Sequence, residues 1–253
     1  MRIVALNKTD VFKGYLTLVN HEHPIRNHSH INSIRLIPFD EEHNDILLEA
    51  TTSTLLLQLL KSIGCNNKIV LVSGYRSREE QEKIYNNSLL ENGKAFTEQY
   101  IALPDQSEHQ TGLAIDLGKN IDEIDFIRPE FSYTGICADF RRKASKYGFI
   151  ERYGKGKEAI TGISHEPWHF RYVGYPHSQI IQDNNLSLEE YIPFIKDFAY
   201  EDKHLPIREN GKEIEVFYVS ADSNTTTIQL PKNDSVQVSG NNIDGFIVTL
   251  WRQ

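Results

Sequence analysis

Apolar residues fall at helical spacing between Ile46 and Ile63, where Leu48, Leu55, Leu56, Leu59, Leu60 and Ile63 share one stripe with Thr52. Gly64 follows as a stop, so the segment is predicted to be a core helix. Lys68–Tyr75 (KIVLVSGY) is a short run rich in β-branched residues, the pattern of a buried strand. Ser77 and Glu80 have capping-box spacing and Gly93 closes the run behind them, so a helix starts directly after that strand. Its inward face carries Gln81, Ile84, Tyr85, Ser88 and Leu89, and Arg76 stands at the hinge where strand gives way to helix. Gln81 is there either as a satisfied core amide or as a donor into a pocket.

Further along, Gly118–Ser132 is acidic and irregular, a loop in the plain reading and a lid beside Asp116 in the sharper one. A helix is predicted from about Gly135 to Tyr147, stopped by Gly148, then a strand from Phe149, a Gly/Lys loop through Gly162 and a strand Trp168–Val173. Two short helices follow, the second starting at Ser187 with Glu190 as its capping partner and Pro193 inside it as a kink. From about His204 the pattern changes to short alternating runs, EVFYVSA, TTIQLP, VQVSGNN and GFIVTLW, separated by DSN, PKND and NNIDG turns. That predicts a small antiparallel β module and a boundary between residues 1–204 and 205–253.

Composition narrows the class. With 253 residues, 39% hydrophobic and 25% charged, the chain is expected to be globular, with neither disorder nor a membrane span. A net charge of -8 without a basic stripe argues against a nucleic-acid partner. Lys8, Asp10 and Lys13 interrupt the N-terminal apolar positions before they reach signal-peptide length, so a cytoplasmic chain with no membrane anchor is expected. Cys65 and Cys137 stand far apart and read as small buried apolar residues. His21 and His23, and His28 and His30, form two HxH pairs, but Pro24, Asn27 and Asn32 around them point to a loop; residues 1–44 read as an arm packed on the domain.

The candidate chemistry lies in two stretches. In Gln106–Asp116 (QSEHQTGLAID) the pattern SxHxxGxAxD sets His109 and Asp116 seven residues apart across Gly112, and an extended reading puts Ala114 and Asp116 on one face. Glu166–His169 (EPWH) adds a second imidazole and a carboxylate. Two His, one Asp and an unshared Glu suit Zn2+ with three protein ligands, an open fourth position and a general base. His165–His169 also spells HEPWH, which matches the helical HExxH motif, but Pro167 inside it and Phe170, Tyr172 and Val173 after it favour a strand. His109, Asp116 and His169 are therefore the expected ligands, and His165 is not.

Together SGYRSREEQ (Ser73–Gln81), SEHQTGLAID (Ser107–Asp116) and EPWHFRYVG (Glu166–Gly174) resemble the zinc D-alanyl-D-alanine carboxypeptidases and dipeptidases of vancomycin-resistance operons, the VanY and VanXY enzymes and most of all the VanXY type. The likeness runs from about Tyr15 to about Tyr200 and departs at Asp105, where the family usually carries Gly in a turn. It implies an α+β fold, a small mostly antiparallel zinc-bearing sheet flanked by helices, with the C-terminal all-β module added. It also implies a peptidase acting on small peptides that end in D-Ala-D-Ala, the muramyl pentapeptide and the free dipeptide. Glu166 would act as general base and Arg76 would stabilise the oxyanion. Ser107 and Gln81 would hold the substrate terminus, with Tyr75 and Ser73 as further substrate-side residues. Residues 1–204 would be the catalytic domain. The β module would be a stabilising or dimerising appendage, which makes a homodimer one expectation, or a binder of cell-wall precursor. An L,D-carboxypeptidase or endolysin of the same fold, and a zinc-containing binding domain without catalysis, are the competing readings; the free carboxylate of Glu166 speaks for an enzyme.

Overall fold

A computed structural model of the chain describes residues 1–209 and 211–252. The elements run β1 (Arg2–Asn7), α1 (His28–Ile31), β2 (Leu36–Pro38), β3 (Leu47–Glu49), α2 (Ala50–Ser62), β4 (Ile69–Ser73), α3 (Arg78–Glu91) and α4 (Lys94–Tyr100). Next come β5 (Ala114–Lys119), α5 (Gly135–Ala144), β6 (Phe149–Tyr153), α6 (Glu158–Thr161), β7 (Glu166–Tyr172), α7 (His177–Asp183) and α8 (Leu188–Lys196). Five strands close the chain, β8 (Leu205–Glu209), β9 (Lys212–Ser220), β10 (Thr225–Leu230), β11 (Ser235–Gly240) and β12 (Gly245–Trp251). The fold is α+β with antiparallel sheets, and among the described residues no helix is long and apolar enough to cross a membrane.

The chain divides into two compact units. One comprises Val19–Pro24 and His28–Ser187. It is built on an antiparallel sheet in the order β4-β5-β7-β6. One face of that sheet is apolar: Ile115 of β5 lies opposite Phe170 of β7, and Phe131, Phe140 and Phe170 meet edge to face. Leu56 and Leu59 of α2 and Phe140 of α5 are fully buried, as their helical stripes require. The helix expected from Ile46 begins only at Ala50. The Glu49 carboxylate accepts the Thr51 and Thr52 N–H groups and so caps α2, while Leu47–Glu49 pairs with Leu36–Pro38 as a strand. The capping box of Ser77 and Glu80 starts α3 as read from the sequence. Gly93 comes one residue after the C-cap, Asn92, and is itself the N-cap of α4.

The other unit comprises Met1–Leu18, Ile25–Asn27 and Leu188–Gln253. A four-stranded sheet in the order β11-β12-β9-β8 is joined there by a two-stranded one, β1 with β10. Alternation makes its core: Phe246, Val248 and Leu250 of β12 and Phe217 and Val219 of β9 turn inward, in register as Phe246↔Val219 and Val248↔Phe217. Leu6 of β1 and Val11 just after it are buried in the same cluster. The boundary expected at residue 204 falls inside this unit. Strand pairing is the reason: β1 runs antiparallel to β10 from Arg2↔Leu230 to Asn7↔Thr225, so of the arm expected over residues 1–44 Met1–Leu18 and Ile25–Asn27 are part of the β unit, and the rest belongs to the other.

Candidate metal centre and active site

Cross-strand register assembles the site. Ser73 of β4 lies opposite Asp116 of β5, and Asp116 lies opposite His169 of β7, so three residues far apart in sequence form one row on one face of the sheet. His109 reaches the row from the 3-10 turn Glu108–Thr111, which ends at Gly112 in the left-handed region, φ 67°. A Cβ at Gly112 would lie 2.7 Å from Leu36 Cδ2 and 3.0 Å from Glu49 N, so glycine serves both the turn and the close approach of α2's N-terminus.

His109 Nε2 is 3.1 Å from Asp116 Oδ2 and His169 Nδ1 is 2.9 Å from Asp116 Oδ1. All three are buried, and one ligand atom from each lies within 4.8 Å of the others. Two imidazole nitrogens and one carboxylate oxygen are a donor set for a divalent transition metal. The nitrogens facing away are backed by acceptors. His109 Nδ1 meets the Gly74 carbonyl at 2.7 Å, and His169 Nε2 faces Glu108 Oε2 at 3.6 Å. Burial opposes charge on Asp116, yet the two imidazoles hold its carboxyl well below the usual range. For His169 burial favours the neutral ring, but Asp116 and Glu108 push it up to about 9. The same carboxylates that favour a proton on that ring favour a metal cation in its place, so the residues fit a metal.

Glu166 stands beside this set. Glu166 and His169, three apart, would point to opposite faces of a regular strand, so their meeting calls for an irregular step at Pro167, and the strand has one there. Between the pairs Glu151↔Phe170 and Tyr153↔Glu166, β6 advances two residues while β7 advances four. That step brings Glu166 and His169 to the same cavity, with Oε2 3.9 Å from His169 Nδ1, although three-residue spacing in a regular strand would set them on opposite faces. At the step, the Pro167 carbonyl accepts a hydrogen bond from Arg141. Burial pushes the Glu166 carboxyl up to about 8, with Asp116 and Glu108 adding to burial and His169 and Arg76 opposing it. A carboxyl in that range can take and return a proton near neutral pH. HEPWH is not helical: Glu166–His169 open β7, and His165 precedes it and faces elsewhere, its Nε2 2.7 Å from the Tyr133 hydroxyl.

The cavity holds about 270 Å³ and takes its walls from Arg76, Gln81, Ser107, Tyr153, Glu166 and Trp168 as well as the cluster. Arg76 is anchored on three sides: Nε donates to Ser73 Oγ at 2.8 Å, one terminal nitrogen to Gln81 Oε1 at 3.4 Å and the other to Asp116 Oδ2 at 2.7 Å. Gln81 is buried, its amide donating to the Ala102 carbonyl, so it acts as a strut for the guanidinium more than as a free donor. Ser107 is buried in the wall and its hydroxyl does not cap the turn it precedes. Tyr75 does not line this cavity. The chain leaves the sheet after Ser73, Tyr75 N–H donates to Leu47 O, and the residue lines a shallower neighbouring hollow. In the segment 119–132 the cavity is faced by Phe126 and Ile127; the acidic Asp122, Glu123 and Asp125 are exposed, and Asp125 caps a turn through Ile127 and Arg128 N–H. Asp105 adopts φ 68°, the left-handed conformation a glycine would supply, and its carboxylate accepts from Arg78 at 3.1 Å.

Sequence reasoning passed over Glu108. It is buried with Arg152 and Arg171, whose side chains are 0% exposed, and both hold Oε1, Arg152 Nε at 2.8 Å and Arg171 Nη1 at 2.8 Å. Burial would raise its pKa, but the two guanidiniums keep the carboxyl far below the usual range. Part of the signal was there: Arg152 and Arg171 stand inside strands, and two buried cations need a buried anion.

A family model described as VanY, D-alanyl-D-alanine carboxypeptidase, matches residues 45–175. The chain is 42% identical over 181 residues to the bifunctional D-Ala-D-Ala dipeptidase and D-Ala-D-Ala carboxypeptidase VanXYC of Enterococcus gallinarum, spanning 71% of this chain and 94% of that one. It is 35% identical over 258 residues to a D-alanyl-D-alanine carboxypeptidase of Enterococcus faecium, spanning 98% of this chain and 78% of that one. Among solved structures, the vancomycin-resistance D,D-dipeptidase VanXYg, in complex with a D-Ala-D-Ala phosphinate analogue, superposes with a TM-score of 0.95 at 52% identity, covering 99% of each chain.

Proposed function

The chain belongs to the VanY family of D-alanyl-D-alanine carboxypeptidases, and from that premise we propose a zinc-dependent D,D-peptidase that removes the C-terminal D-Ala from cell-wall precursors ending in D-Ala-D-Ala, contributing to vancomycin resistance. The observation that carries this reading is one cavity holding a His, Asp, His donor set and, beside that set rather than in it, the buried carboxylate of Glu166. His109, Asp116 and His169 would hold the zinc. Zinc, when bound, acidifies water and polarises a carbonyl. Glu166 takes a proton from the attacking water as the new C–O bond forms and returns it to the leaving amine as the C–N bond breaks. Arg76, fixed by Ser73 and Gln81, offers positive charge where the oxyanion develops. Ser107 and Gln81 line the wall that meets the substrate's terminal residue. The same cavity favours a short peptide end over a folded protein.

Both cytoplasmic molecules with this terminus, the free dipeptide and the muramyl pentapeptide, are assigned as substrates. Ends in D-Ala-D-Ser or D-Ala-D-Lac are spared. The segment faced by Phe126 and Ile127 acts as the cover over a small substrate. Residues 205–253 have an accessory, stabilising role, since every side chain invoked lies between Ser73 and His169. The test is release of free D-Ala from each substrate, with kcat/KM measured side by side on zinc-loaded protein. Cleavage of the pentapeptide alone would restrict the reading to a carboxypeptidase. Cleavage of neither, with zinc bound, would overturn it.

A further inference from the structure

Glu108 divides its two oxygens. Oε1 is held by Arg152 and Arg171, each at 2.8 Å, and Oε2 is left to His169 Nε2 at 3.6 Å. Both Oε2 and Nε2 are fully enclosed, neither has a hydrogen-bond partner, and the two face each other. A buried carboxylate oxygen and a buried imidazole nitrogen left without partners are costly, and a proton on that nitrogen, facing the oxygen across 3.6 Å, lowers the cost through charge attraction. Strand register explains how the four side chains meet. Arg171 and His169 are two apart on β7 and so share a face, and Arg152 of β6, beside the step in pairing, reaches the same carboxylate as Arg171. Glu108 comes to them from the turn that also carries His109.

We propose that Glu108, clamped by Arg152 and Arg171, is a positioning residue that fixes the proton of His169 on Nε2 and thereby presents the Nδ1 lone pair to the metal. This rests on the assignment of His169 as a ligand. A carboxylate behind a ligating imidazole both fixes the tautomer and raises the donor strength of the other nitrogen. His109 is oriented in the mirror sense by the Gly74 carbonyl on its Nδ1, so the two imidazoles would ligate through different nitrogens, Nε2 of His109 and Nδ1 of His169. Arg152 and Arg171 hold Oε1 and so keep the Glu108 carboxylate immobile, with its second oxygen turned to the ring.

Two measurements test this. In the zinc-loaded wild-type protein, nitrogen-15 NMR of the imidazoles should show His169 protonated at Nε2 and metal-bound at Nδ1, with a slowly exchanging Nε2 proton. Ligation through Nε2 of His169 overturns the proposal, and failure of the wild type to bind zinc overturns both it and the assignment of the metal site. Glu108→Gln, a near-isosteric change that can offer its amide NH2 to the ring in place of the acceptor, should weaken zinc affinity by about 10- to 100-fold in chelator competition, at a temperature where near-ultraviolet circular dichroism shows native packing. Unchanged affinity in the folded variant overturns the positioning role while leaving the hydrolase reading intact. Should the variant not fold, the wild-type NMR result decides alone.

Discussion

Two histidines four positions apart meet opposite environments. His165 is partly exposed beside Tyr133 and Glu151, whereas His169 is enclosed with Asp116. The first prediction follows from that contrast: His109→Ala, Asp116→Ala and His169→Ala should each abolish stoichiometric zinc, and His165→Ala should keep it, as metal analysis of purified variants will show. Glu166→Ala should keep zinc and lose roughly 10²- to 10⁴-fold in kcat, since it removes only the proton carrier. Arg76→Ala should lower kcat by about 10²-fold or more with less effect on KM; because Arg76 also donates to Asp116, a fall in zinc affinity instead would make it a support of the ligand rather than of the oxyanion. His109, Asp116, His169 and Glu166 were legible because their residue types and spacing carry the chemistry themselves. The buried group of Glu108, Arg152 and Arg171 was legible only in part: two arginines inside strands called for an anion, but only the fold shows that Glu108, from the turn before β5, meets them.

At the scale of elements, the site depends on how two segments bend. Gly112 lets the Glu108–Thr111 turn enter β5 and lets Glu49 donate its N–H to the Gly112 carbonyl. Gly112→Ala should cost about 1 to 2 kcal/mol for the left-handed conformation alone, with more from the contact on Glu49. Zinc affinity should fall with it, because His109 is on the displaced turn; urea unfolding and chelator titration of the same variant would show both, and loss of stability without loss of affinity would separate the turn from the metal. The strand expected over Trp168–Val173 was legible from the residues after Pro167, and the observed one begins two residues earlier, at Glu166. The need for an irregular step at Pro167 was legible because Glu166 and His169 would otherwise point to opposite faces, but its size, two extra residues of β7 opposite β6, was not. The early start given to α2 has a similar cause: Leu48 suits the helical stripe, and only the β2 partner strand and the Glu49 cap decide against it.

Across the whole molecule, stability has an acid limit set partly by His177. Burial pushes its imidazole from 6.5 down to about 3. The folded-state value is depressed, so its contribution is complete above the unfolded value and is lost as pH falls through the folded one. Between pH 7 and pH 5 the wild type should lose about 2 kcal/mol more than His177→Gln in denaturant unfolding; equal losses would show that the ring takes up its proton without unfolding. The β module was legible from its alternating runs, but its claim on the N-terminus was not, since β1 carries no mark of which strand it will join. A chain cut after His204 would strip Leu6 and Val11 of Phe217, Val219 and Phe246, and is expected to bind hydrophobic dye and aggregate. A chain of residues 19–187 should keep its zinc. The pairing of β1 with β10 also has a consequence in time. Asn7 and its partner Thr225 are 218 residues apart, so at roughly 5–20 residues per second β1 leaves the ribosome some tens of seconds before the strand it pairs with exists. Everything from Val19 to Ser187 is synthesised within that interval. Nascent chains arrested shortly after Ser220 would therefore carry a complete metal-binding unit and an N-terminal strand still waiting for its neighbour.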